Sequence, residues 1–517
     1  MFQGKLHPYQ TEPVEIFLER KNLLVAYEMG LGKTVIAIAA AERLLDSGAI
    51  KLCLVVCPAS LKYQWAERIK QFSDSIPLVI DGTPKKRQEQ YDSLSTDSAS
   101  YIIMGYDNVI NDHEQVARIK PGMTVLDEAT AIKTFRAKRT KRIKKLLRSP
   151  YRLALTGTPI ENRPDEIFSI MQWVDETVLG RYDLFDRAYI TRNRYGWPVS
   201  YKNLPVLKQR LGPALCRKSR LSPEVYPYLP EVDEDEWYIS IDDDTLGLYK
   251  TIASDIVDEL TKLERAGSFD LDKYYSGYDE STPSGKVMGM YMCIQMLMDH
   301  PDLIIYSAQL FELGEEDKGS GYAYNLWQSG NIDSVTNCPK LDVLMEKLDD
   351  LLAFSGNKII VFSEYRNMLD IIGSRLNCGY VKFHGGMDAK AKNQAYTVFR
   401  DDPECRVFLS SNAGAYGMDM SMANYLINYD IPWSAGQADQ RNGRHVRASS
   451  EFGKVFIRNM IVKGSVEERK LRILRRKRRL ASSVLDGAGH DDYGRIDLEG
   501  DSLGGLLTST LRSGILE

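Results

Sequence analysis

Short apolar segments of strand length alternate with helical segments in two separate regions of this 517-residue chain. The first region holds six candidate strands, at 22–27, 51–57, 77–80, 101–104, 124–126 and 152–155. The second holds five, at 358–362, 380–383, 406–409, 425–428 and 455–461. This alternation is typical of a parallel sheet with helices on both faces. Since a single hydrophobic core seldom grows beyond about 250–300 residues, the sequence predicts an α/β protein with two lobes.

The composition is that of an ordinary globular protein. Its residues are 43% hydrophobic and 27% charged, and no apolar run approaches the ~20 residues of a transmembrane helix. The N-terminus lacks a signal-peptide pattern. Seven cysteines without a CxxC pair and six histidines without ligand spacing predict reduced thiols and no structural metal. We therefore expect an intracellular, cytoplasmic protein with no membrane partner.

The segment EMGLGKT at 28–34 lies between a predicted strand and an apolar segment that predicts a helix. Gly30 and Gly32 allow a tight turn in which successive backbone N–H groups point at phosphate oxygens. Lys33 adds a cation, and Thr34 offers a hydroxyl to Mg²⁺. The usual eight-residue pattern has one further glycine, which this chain lacks. The segment predicts a nucleotide phosphate site.

Two carboxylates, Asp127 and Glu128, stand just beyond the end of another predicted strand. Ligands of open α/β sheets lie outside the carboxyl ends of the strands, so this pair is expected to face the phosphate loop. Asp127 can hold Mg²⁺ together with Thr34, and Glu128 can orient and deprotonate an attacking water. A turn at 156–158 follows a third strand end and is expected to respond to the γ-phosphate.

Arg444 and Arg447 belong to the segment QRNGRHVR in the second region. Their spacing predicts two side chains one helical turn apart on one helix face, within reach of a single phosphate group. Such arginines stabilise the charge on a transferring phosphoryl group. The sequence therefore predicts one site that both lobes complete.

The order of these motifs resembles that of the Swi/Snf family of helicase-like DNA translocases, in helicase superfamily two. The resemblance covers about residues 5 to 488. Its segments are LHPYQ at 6–10, MGLGKT at 29–34, CPAS at 57–60, DEAT at 127–130, TGTPIEN at 156–162, RKSR at 217–220, MYMCIQMLMDHPDL at 290–303 and QRNGRHVR at 440–447.

The resemblance implies two RecA-like parallel-sheet lobes with helical insertions between them and a C-terminal brace helix. The implied divisions are lobe one at 1–165, its helical protrusion and linker at 166–230, a helical insertion at 231–337, lobe two at 338–465, the brace helix at 466–488 and a flexible tail at 489–517. The run at 231–244 carries eight acidic residues and no basic one. We expect it to be a solvated linker.

The resemblance also implies roles for individual residues. The implied ATP contacts are Gln10, Glu28, Met29, Gly30, Leu31, Gly32, Lys33, Thr34, Gly417 and Asp419. The residues implied to couple hydrolysis to motion are Thr156, Gly157, Thr158 and Gln440. The implied DNA contacts are Lys62, Tyr106, Arg136, Arg366, Lys392 and Trp433. Lys392 and Asp419 depart from the residues that the family usually has there.

The implied function is an ATP- and Mg²⁺-dependent translocase on double-stranded DNA that remodels DNA structures or protein–DNA complexes. A protein partner that directs the motor is possible. Two alternatives stay open: an enzyme that unwinds or anneals forks and recombination intermediates, and a nucleotide-switched DNA-binding clamp with little turnover.

Two segments are strongly basic in a chain whose net charge is only −4. Nine of the sixteen residues at 133–148 and eight of the eleven at 469–479 are Lys or Arg. Any polyanion site must therefore be a local basic surface. The first segment either borders the DNA path or is a solvated face. The second is expected to pack as the brace helix.

Overall fold

A computed structural model of the chain describes residues 1–93, 99–161, 163–192, 198–265, 282–315, 318–412, 418–432, 434–486 and 496–497. The strands, in chain order, are β1 Asn22–Tyr27, β2 Cys53–Cys57, β3 Pro77–Val79, β4 Tyr101–Gly105, β5 Met123–Asp127, β6 Tyr151–Leu155, β7 Ile190–Arg192, β8 Pro198–Tyr201, β9 Leu215–Lys218, β10 Glu231–Ile239, β11 Ile359–Phe362, β12 Gly379–Phe383, β13 Cys405–Ser410, β14 Tyr425–Asn428, β15 Lys454–Val462 and β16 Ile496–Asp497.

The α-helices are α1 Pro8–Arg20, α2 Lys33–Asp46, α3 Lys62–Phe72, α4 Pro84–Asp92, α5 Tyr106–Asn111, α6 His113–Arg118, α7 Lys138–Leu146, α8 Asp165–Val174, α9 Glu176–Leu179, α10 Tyr182–Tyr189, α11 Leu204–Leu211, α12 Asp243–Arg265, α13 Pro283–Asp299, α14 Pro301–Glu312, α15 Gly321–Gln328, α16 Pro339–Leu352, α17 Arg366–Arg375, α18 Ala389–Asp401, α19 Ala435–Asn442 and α20 Val466–Leu485.

The first lobe is built on a parallel sheet of seven strands in the order β3-β4-β2-β5-β6-β1-β9. All five residues of β2 are buried. Leu54 and Val56 pack into one hydrophobic cluster, whereas Cys53, Val55 and Cys57 pack into a second. Because successive side chains of a strand point to opposite faces, helices cover both faces of this sheet.

The second lobe repeats this plan with six parallel strands in the order β10-β15-β14-β11-β13-β12. Along β11, Ile359 and Val361 join one cluster, and Ile360 and Phe362 join another. The predicted α/β fold with two parallel-sheet lobes is therefore confirmed. In the part of the chain that the structure describes, no helix combines the length and apolar character that crossing a bilayer requires.

The acidic run differs from the expected linker. Residues Glu231–Ile239 form β10, which pairs in parallel with β15 along its whole length. Basic side chains neutralise its acids: Asp233 accepts from Arg458 at 2.9 Å, and Glu236 pairs with Arg475 of α20 at 2.5 Å. These partners lie more than 200 residues away in sequence, so the composition of the run itself gives no sign of them.

Two further segments extend sheets beyond their expected limits. β9 lies in the stretch assigned to a protrusion and linker, yet it pairs with β1 and forms an edge of the first sheet. β16 lies in the stretch assigned to a flexible tail and pairs antiparallel with β8 in a small sheet with β7. The rest of 489–517 is outside the described residues.

Helix α20 packs on both lobes. Leu471 and Leu474 join a cluster with Ile431 and Ile461 of the second lobe. One to three turns further on, Leu480, Val484 and Leu485 are part of the first lobe's hydrophobic cluster. The helix therefore holds the lobes against each other through apolar contacts at its two ends.

Candidate active site

The phosphate loop follows β1 and leads directly into α2. Gly30 and Gly32 have φ values of +86° and +76°, a left-handed conformation that glycine adopts without a Cβ clash. A Cβ on Gly32 would also lie 2.3 Å from the side-chain nitrogen of Gln10. Lys33 opens α2, and its Nζ donates to the carbonyls of Tyr27 at 2.8 Å and Glu28 at 3.2 Å. The loop has the turn and the cation that the sequence predicts.

Gln10 packs against this loop from α1. Its Oε1 accepts from the His7 backbone N–H at 2.9 Å, and its Nε2 donates to the Leu31 carbonyl at 3.2 Å. His7 stacks on Tyr9 at 5.5 Å and lies 4.6 Å from the Tyr228 ring. An amide and an aromatic cluster thus lie beside the phosphate loop. A nucleotide base bound next to the loop would need such a hydrogen-bonding group and such a stacking group.

The two carboxylates lie at the end of β5, where Asp127 is in register with Leu155 of β6. Asp127 accepts from Trp65 Nε1 at 2.8 Å and from the Glu128 backbone N–H at 3.0 Å. Glu128 has φ +49°, and its Oε2 is buried with no hydrogen-bond partner among the described residues. A carboxylate oxygen is therefore free to accept a proton or a water.

Burial sets the charge of these groups. It raises the pKa of Glu128 to about 7, with repulsion from Asp127 as the next cause. It also raises the pKa of Asp127 and lowers the pKa of Lys33 to about 8. The positive charges of Lys33 and Arg444 act in the opposite direction on both carboxylates. A base whose pKa lies near neutrality suits proton transfer at physiological pH.

The second lobe brings two arginines to the same place. Arg444 is buried, and its guanidinium donates to the carbonyls of Gln440 at 3.0 Å and Met418 at 3.3 Å. Arg447 donates to the Arg444 carbonyl at 3.5 Å and lies beside Gly30, where an added Cβ would be 3.5 Å from its Cδ. The predicted site completed by both lobes is thus assembled.

The arginines are not on a helix face, contrary to the expectation. Helix α19 ends at Asn442, so Arg444 and Arg447 lie on the turn that follows it. The helix ends at Gly443, a residue type that is unfavourable inside helices and common just after them. The lobes also approach closely here: a Cβ on Gly443 would lie 2.4 Å from the Cβ of Met29. A similar approach occurs at Gly30, where a Cβ would lie 2.5 Å from the Val446 carbonyl oxygen.

The residues expected to couple hydrolysis to motion lie around this contact. A Cβ on Gly157 would lie 2.9 Å from Met29 Sδ, and the Thr158 N–H donates to Thr156 Oγ1 at 3.2 Å. The Oε1 of Gln440 is buried, and among the described residues no donor forms a hydrogen bond to it. With Glu128 it lines a cavity of about 260 Å³ whose other walls are Pro58, Thr130, Ala131, Lys133, Glu161, Ser434 and Gln437.

Asp419 stands beside Arg447: burial lowers the pKa of this arginine, and the charge of Asp419 acts in the opposite direction. Its carboxylate accepts from the Ser421 N–H at 3.1 Å and from Ser449 Oγ at 3.2 Å. Arg68 of the first lobe lies 3.9 Å away. Asp419 therefore bridges the lobes close to the phosphate loop. The other implied nucleotide contact of this segment, Gly417, is outside the described residues.

The donor set at the phosphate loop fits Mg²⁺. Thr34 supplies a hydroxyl next to Lys33, and Asp127 supplies a carboxylate at the end of β5, which β6 separates from β1 in the sheet. Mg²⁺ is commonly bound by one or two carboxylates, with water and substrate phosphates as its other ligands. Thr34 and Asp127 would hold the ion in this way.

Two family models match successive parts of the chain. The SNF2-related domain matches residues 9–303, and the helicase conserved C-terminal domain matches residues 340–449. The chain belongs to the SNF2-related family. The sequence-based resemblance to Swi/Snf proteins is therefore confirmed.

Curated relatives agree with this assignment. The Bacillus subtilis protein "Putative ATP-dependent helicase/translocase YwqA" is 24% identical over 497 residues, which cover 94% of this chain and 49% of that protein. The B. subtilis "Uncharacterized ATP-dependent helicase YqhH" is 26% identical over 492 residues, 92% of this chain and 79% of that protein. The SNF2-related chain thus spans about half the length of the first of these relatives.

The fold is also that of a solved helicase domain. The crystal structure of the Pyrococcus furiosus Hef helicase domain is similar with a TM-score of 0.53 and 18% identity, covering 91% of this chain and 99% of that one. At this identity the similarity concerns the fold alone.

One contact of the SNF2-related chain was not predicted from sequence. Glu28, implied as a nucleotide contact, instead accepts from Arg217 Nη2 at 3.1 Å and from the Arg220 backbone N–H at 2.9 Å. Arg217 also donates to the Gly157 carbonyl at 3.5 Å and pairs with Asp486, just after α20, at 3.3 Å. The segment RKSR was visible in the sequence, but nothing in its composition indicates a partner 189 residues away.

Two implied DNA contacts are placed differently from the expectation. Lys62 is 4% exposed, and its Nζ pairs with Asp81 at 2.6 Å. Tyr106 is buried, and its hydroxyl donates to the Asp127 carbonyl at 2.8 Å. Neither side chain presents a free polar group at the surface, because each satisfies it inside the first lobe.

The other implied DNA contacts are accessible where the structure describes them. Arg136 and Arg366 are exposed. Lys392 is half-buried, with its Nζ 5.8 Å from the centre of the Phe383 ring. Burial lowers the pKa of His384, and the nearby charges of Arg366 and Lys392 lower it further, so both cations lie close to this histidine on the second lobe. Trp433 is outside the described residues.

Proposed function

We propose that this SNF2-related chain is a Mg²⁺-dependent ATPase that translocates along double-stranded DNA and remodels DNA structures or protein–DNA complexes. The observation that carries the proposal is the composite site. Lys33 and Glu128 of one lobe lie within electrostatic reach of Arg444 and Arg447 of the other. ATP bound here would be held by both lobes, so its hydrolysis would change the contact between them.

Each side chain has a distinct task in hydrolysis. Lys33 and the loop N–H groups bind the β- and γ-phosphates. The free oxygen of Glu128 accepts a proton from the attacking water. Arg444 and Arg447 stabilise the negative charge that spreads over the transferring phosphoryl oxygens. Mg²⁺ at Thr34 and Asp127 would neutralise part of the phosphate charge.

The close contact between the lobes supports coupling to motion. At Gly30 and at Gly443, atoms of the opposite lobe lie so close that a Cβ would clash with them. Loss of the γ-phosphate removes an anion that Arg444 and Arg447 bind, so the lobes would separate and close again around the next ATP. Exposed cations on both lobes, at Arg136 and Arg366, would grip DNA phosphates without reading sequence.

The first experiment measures steady-state ATPase rate without nucleic acid and with duplex DNA, single-stranded DNA or RNA. Wild type is compared with Arg444→Ala and with Arg400→Ala, which removes an exposed arginine of the same lobe that forms an ion pair with its neighbour Asp401. We expect strong stimulation by duplex DNA, lost in Arg444→Ala and kept in Arg400→Ala. A negligible rate in all four conditions, with DNA still bound, would indicate a nucleotide-switched clamp instead.

A second assay separates translocation from strand separation. We expect the protein to displace a third strand from a triplex while leaving a forked duplex intact. Efficient unwinding of the fork would favour the unwinding or annealing helicase that the sequence also allows.

A further inference from the structure

A second cavity lies in the first lobe, away from the nucleotide site. Its volume is about 590 Å³. It is lined by Phe135, Lys141, Lys144, Lys145, Arg148, Arg152, Gln172, Trp173 and Glu176. Arg152 is in register with Asn22 and Thr124, at the amino ends of the strands, whereas Asp127 lies at their carboxyl ends. About 10 Å of strand therefore separates the levels of the two sites.

The lining is strongly and asymmetrically charged. Five of its residues are Lys or Arg and one is Glu. None of the five cations is within 4.0 Å of a carboxylate oxygen in the ranges that the structure describes. By contrast, Lys62, a buried lysine elsewhere in the same lobe, pairs with Asp81. A concave surface with unneutralised cations attracts anions.

Lys144 is the least exposed of these cations. Only 8% of the residue is exposed, and its Nζ donates to Ser169 Oγ at 2.8 Å and to Gln172 Oε1 at 3.0 Å. Both acceptors are neutral, and an ammonium has three donors. Burial lowers the pKa of Lys144 to about 7. A buried charge without a counter-charge is costly, and an anion in the cavity would supply one.

The guanidinium groups at the rim are held in place by backbone carbonyls. Arg148 Nε donates to the Lys144 carbonyl at 3.3 Å, and Arg152 Nε donates to the Val174 carbonyl at 3.2 Å. Trp173 is also fixed, because its Nε1 donates to the Leu147 carbonyl at 2.8 Å. Anchored guanidiniums lose little side-chain freedom when they bind a phosphate.

We propose that this cavity is a binding site for a small anion that carries two or more phosphate groups. Its size and concave shape are those of small-molecule sites, whereas a DNA backbone needs an extended groove. Two phosphate groups match the positive charge better than one. The aromatic rings of Phe135 and Trp173 add apolar walls for the rest of the molecule. The ligand class is a phosphorylated small molecule, and the nucleotide site is a separate one.

The test titrates inorganic tripolyphosphate into the full chain by isothermal titration calorimetry. The variants are Arg148→Glu and Lys144→Gln in the cavity, and Lys33→Ala in the phosphate loop. Arg142→Glu is the matched control, because Arg142 is an exposed residue of the same basic segment that does not line the cavity. Melting curves by circular dichroism verify that each variant is folded.

We expect at least tenfold weaker binding at one site in Arg148→Glu and in Lys144→Gln, and unchanged binding there in Arg142→Glu and Lys33→Ala. Binding that is lost only in Lys33→Ala would belong to the phosphate loop and overturn the proposal. Equal weakening in Arg142→Glu would indicate general surface electrostatics and overturn it too. If Arg148→Glu weakens duplex DNA binding but leaves tripolyphosphate binding unchanged, the cavity is part of a DNA path and the proposal fails.

Discussion

The backbone of Glu128 has φ +49° and ψ +57°, a conformation that costs a non-glycine residue about 1–3 kcal/mol. The Asp127 carboxylate accepts the Glu128 N–H and thereby holds this shape. The side chain is half-buried, and its Oε2 is buried with no hydrogen-bond partner in the part of the chain that the structure describes. Backbone strain and an unpaired buried oxygen both oppose folding, and such features persist at sites where they serve the reaction.

The first prediction concerns the role of this oxygen. Glu128→Gln keeps the size and removes the proton acceptor, so we expect kcat to fall by about 10²–10⁴-fold while nucleotide binding persists. The measurement is steady-state ATPase beside equilibrium binding of ATP. Glu114→Gln, an exposed residue of α6, should leave kcat unchanged. Retained turnover in Glu128→Gln would remove this residue from the role of base.

The second prediction follows from the charges of the free site. Hydrolysis needs Glu128 ionised and Lys33 protonated. Because burial raises the pKa of Glu128 to about 7 and lowers that of Lys33 to about 8, kcat/KM should rise with pH through about 7 and fall above about 8. These are apparent values of a coupled set of groups. A profile that is flat from pH 5.5 to 7.5 would contradict it.

At the scale of elements, a buried ionic cluster fastens three helices together. Lys340 of α16 pairs with Asp299 at the end of α13 at 2.8 Å and with Glu467 of α20 at 2.5 Å. The negative charges of Asp299 and Glu467 raise the pKa of Lys340, and burial raises the pKa of Asp299 well above its usual range. The helical insertion and the helix that spans the lobes are thus joined through one ammonium.

The third prediction tests that junction. Lys340→Met leaves two buried carboxylates without a counter-charge, which should lower the free energy of unfolding by about 3–5 kcal/mol. Denaturant unfolding measures the loss. Lys347→Met on the same helix removes only partly exposed ion pairs and should cost below about 1 kcal/mol. Equal effects of the two substitutions would argue against a special role for the cluster.

The local sequence pattern predicted most strands and helices because each of them buries apolar side chains of its own segment. The strand at 22–27 and the strand at 425–428 have the predicted bounds, and other predicted strands shift by one or two residues. β10 was missed because its acids are neutralised by distant residues such as Arg458. The helix expected to carry Arg444 was too long because α19 ends at Asn442, immediately before Gly443.

The features of the candidate site likewise fall into those that the local sequence predicts and those that it does not. The phosphate loop and the Asp127–Glu128 pair were predictable, since their chemistry depends on adjacent residues. The pairing of Glu28 with Arg217 and the burial of Lys62 depend on tertiary contacts that no local pattern encodes.

At the scale of the whole molecule, helix α20 and the composite site both join the lobes. The helix packs on both hydrophobic clusters, at Leu474 and at Val484, and the arginines meet the phosphate loop. DNA that contacts cations on both lobes would add a third connection, and its strength would depend on salt.

The fourth prediction concerns that dependence. Binding of duplex DNA should weaken steeply with salt, with a linear relation between the logarithms of affinity and salt concentration. Arg366→Ala should reduce the slope by about one, as expected for one lost phosphate contact. Arg375→Ala, at the other end of α17 and paired with Asp342, should leave the slope unchanged. An unchanged slope in both variants would place the DNA elsewhere on the second lobe.

Arg217 binds Glu28 in the phosphate loop and Asp486 just beyond α20. A single guanidinium therefore connects the nucleotide-binding loop to the point where the chain leaves the helix that spans the two lobes. Any mechanical load that a fused domain or a bound molecule places on the chain after Asp486 would be transmitted through that side chain to the loop that holds the phosphates.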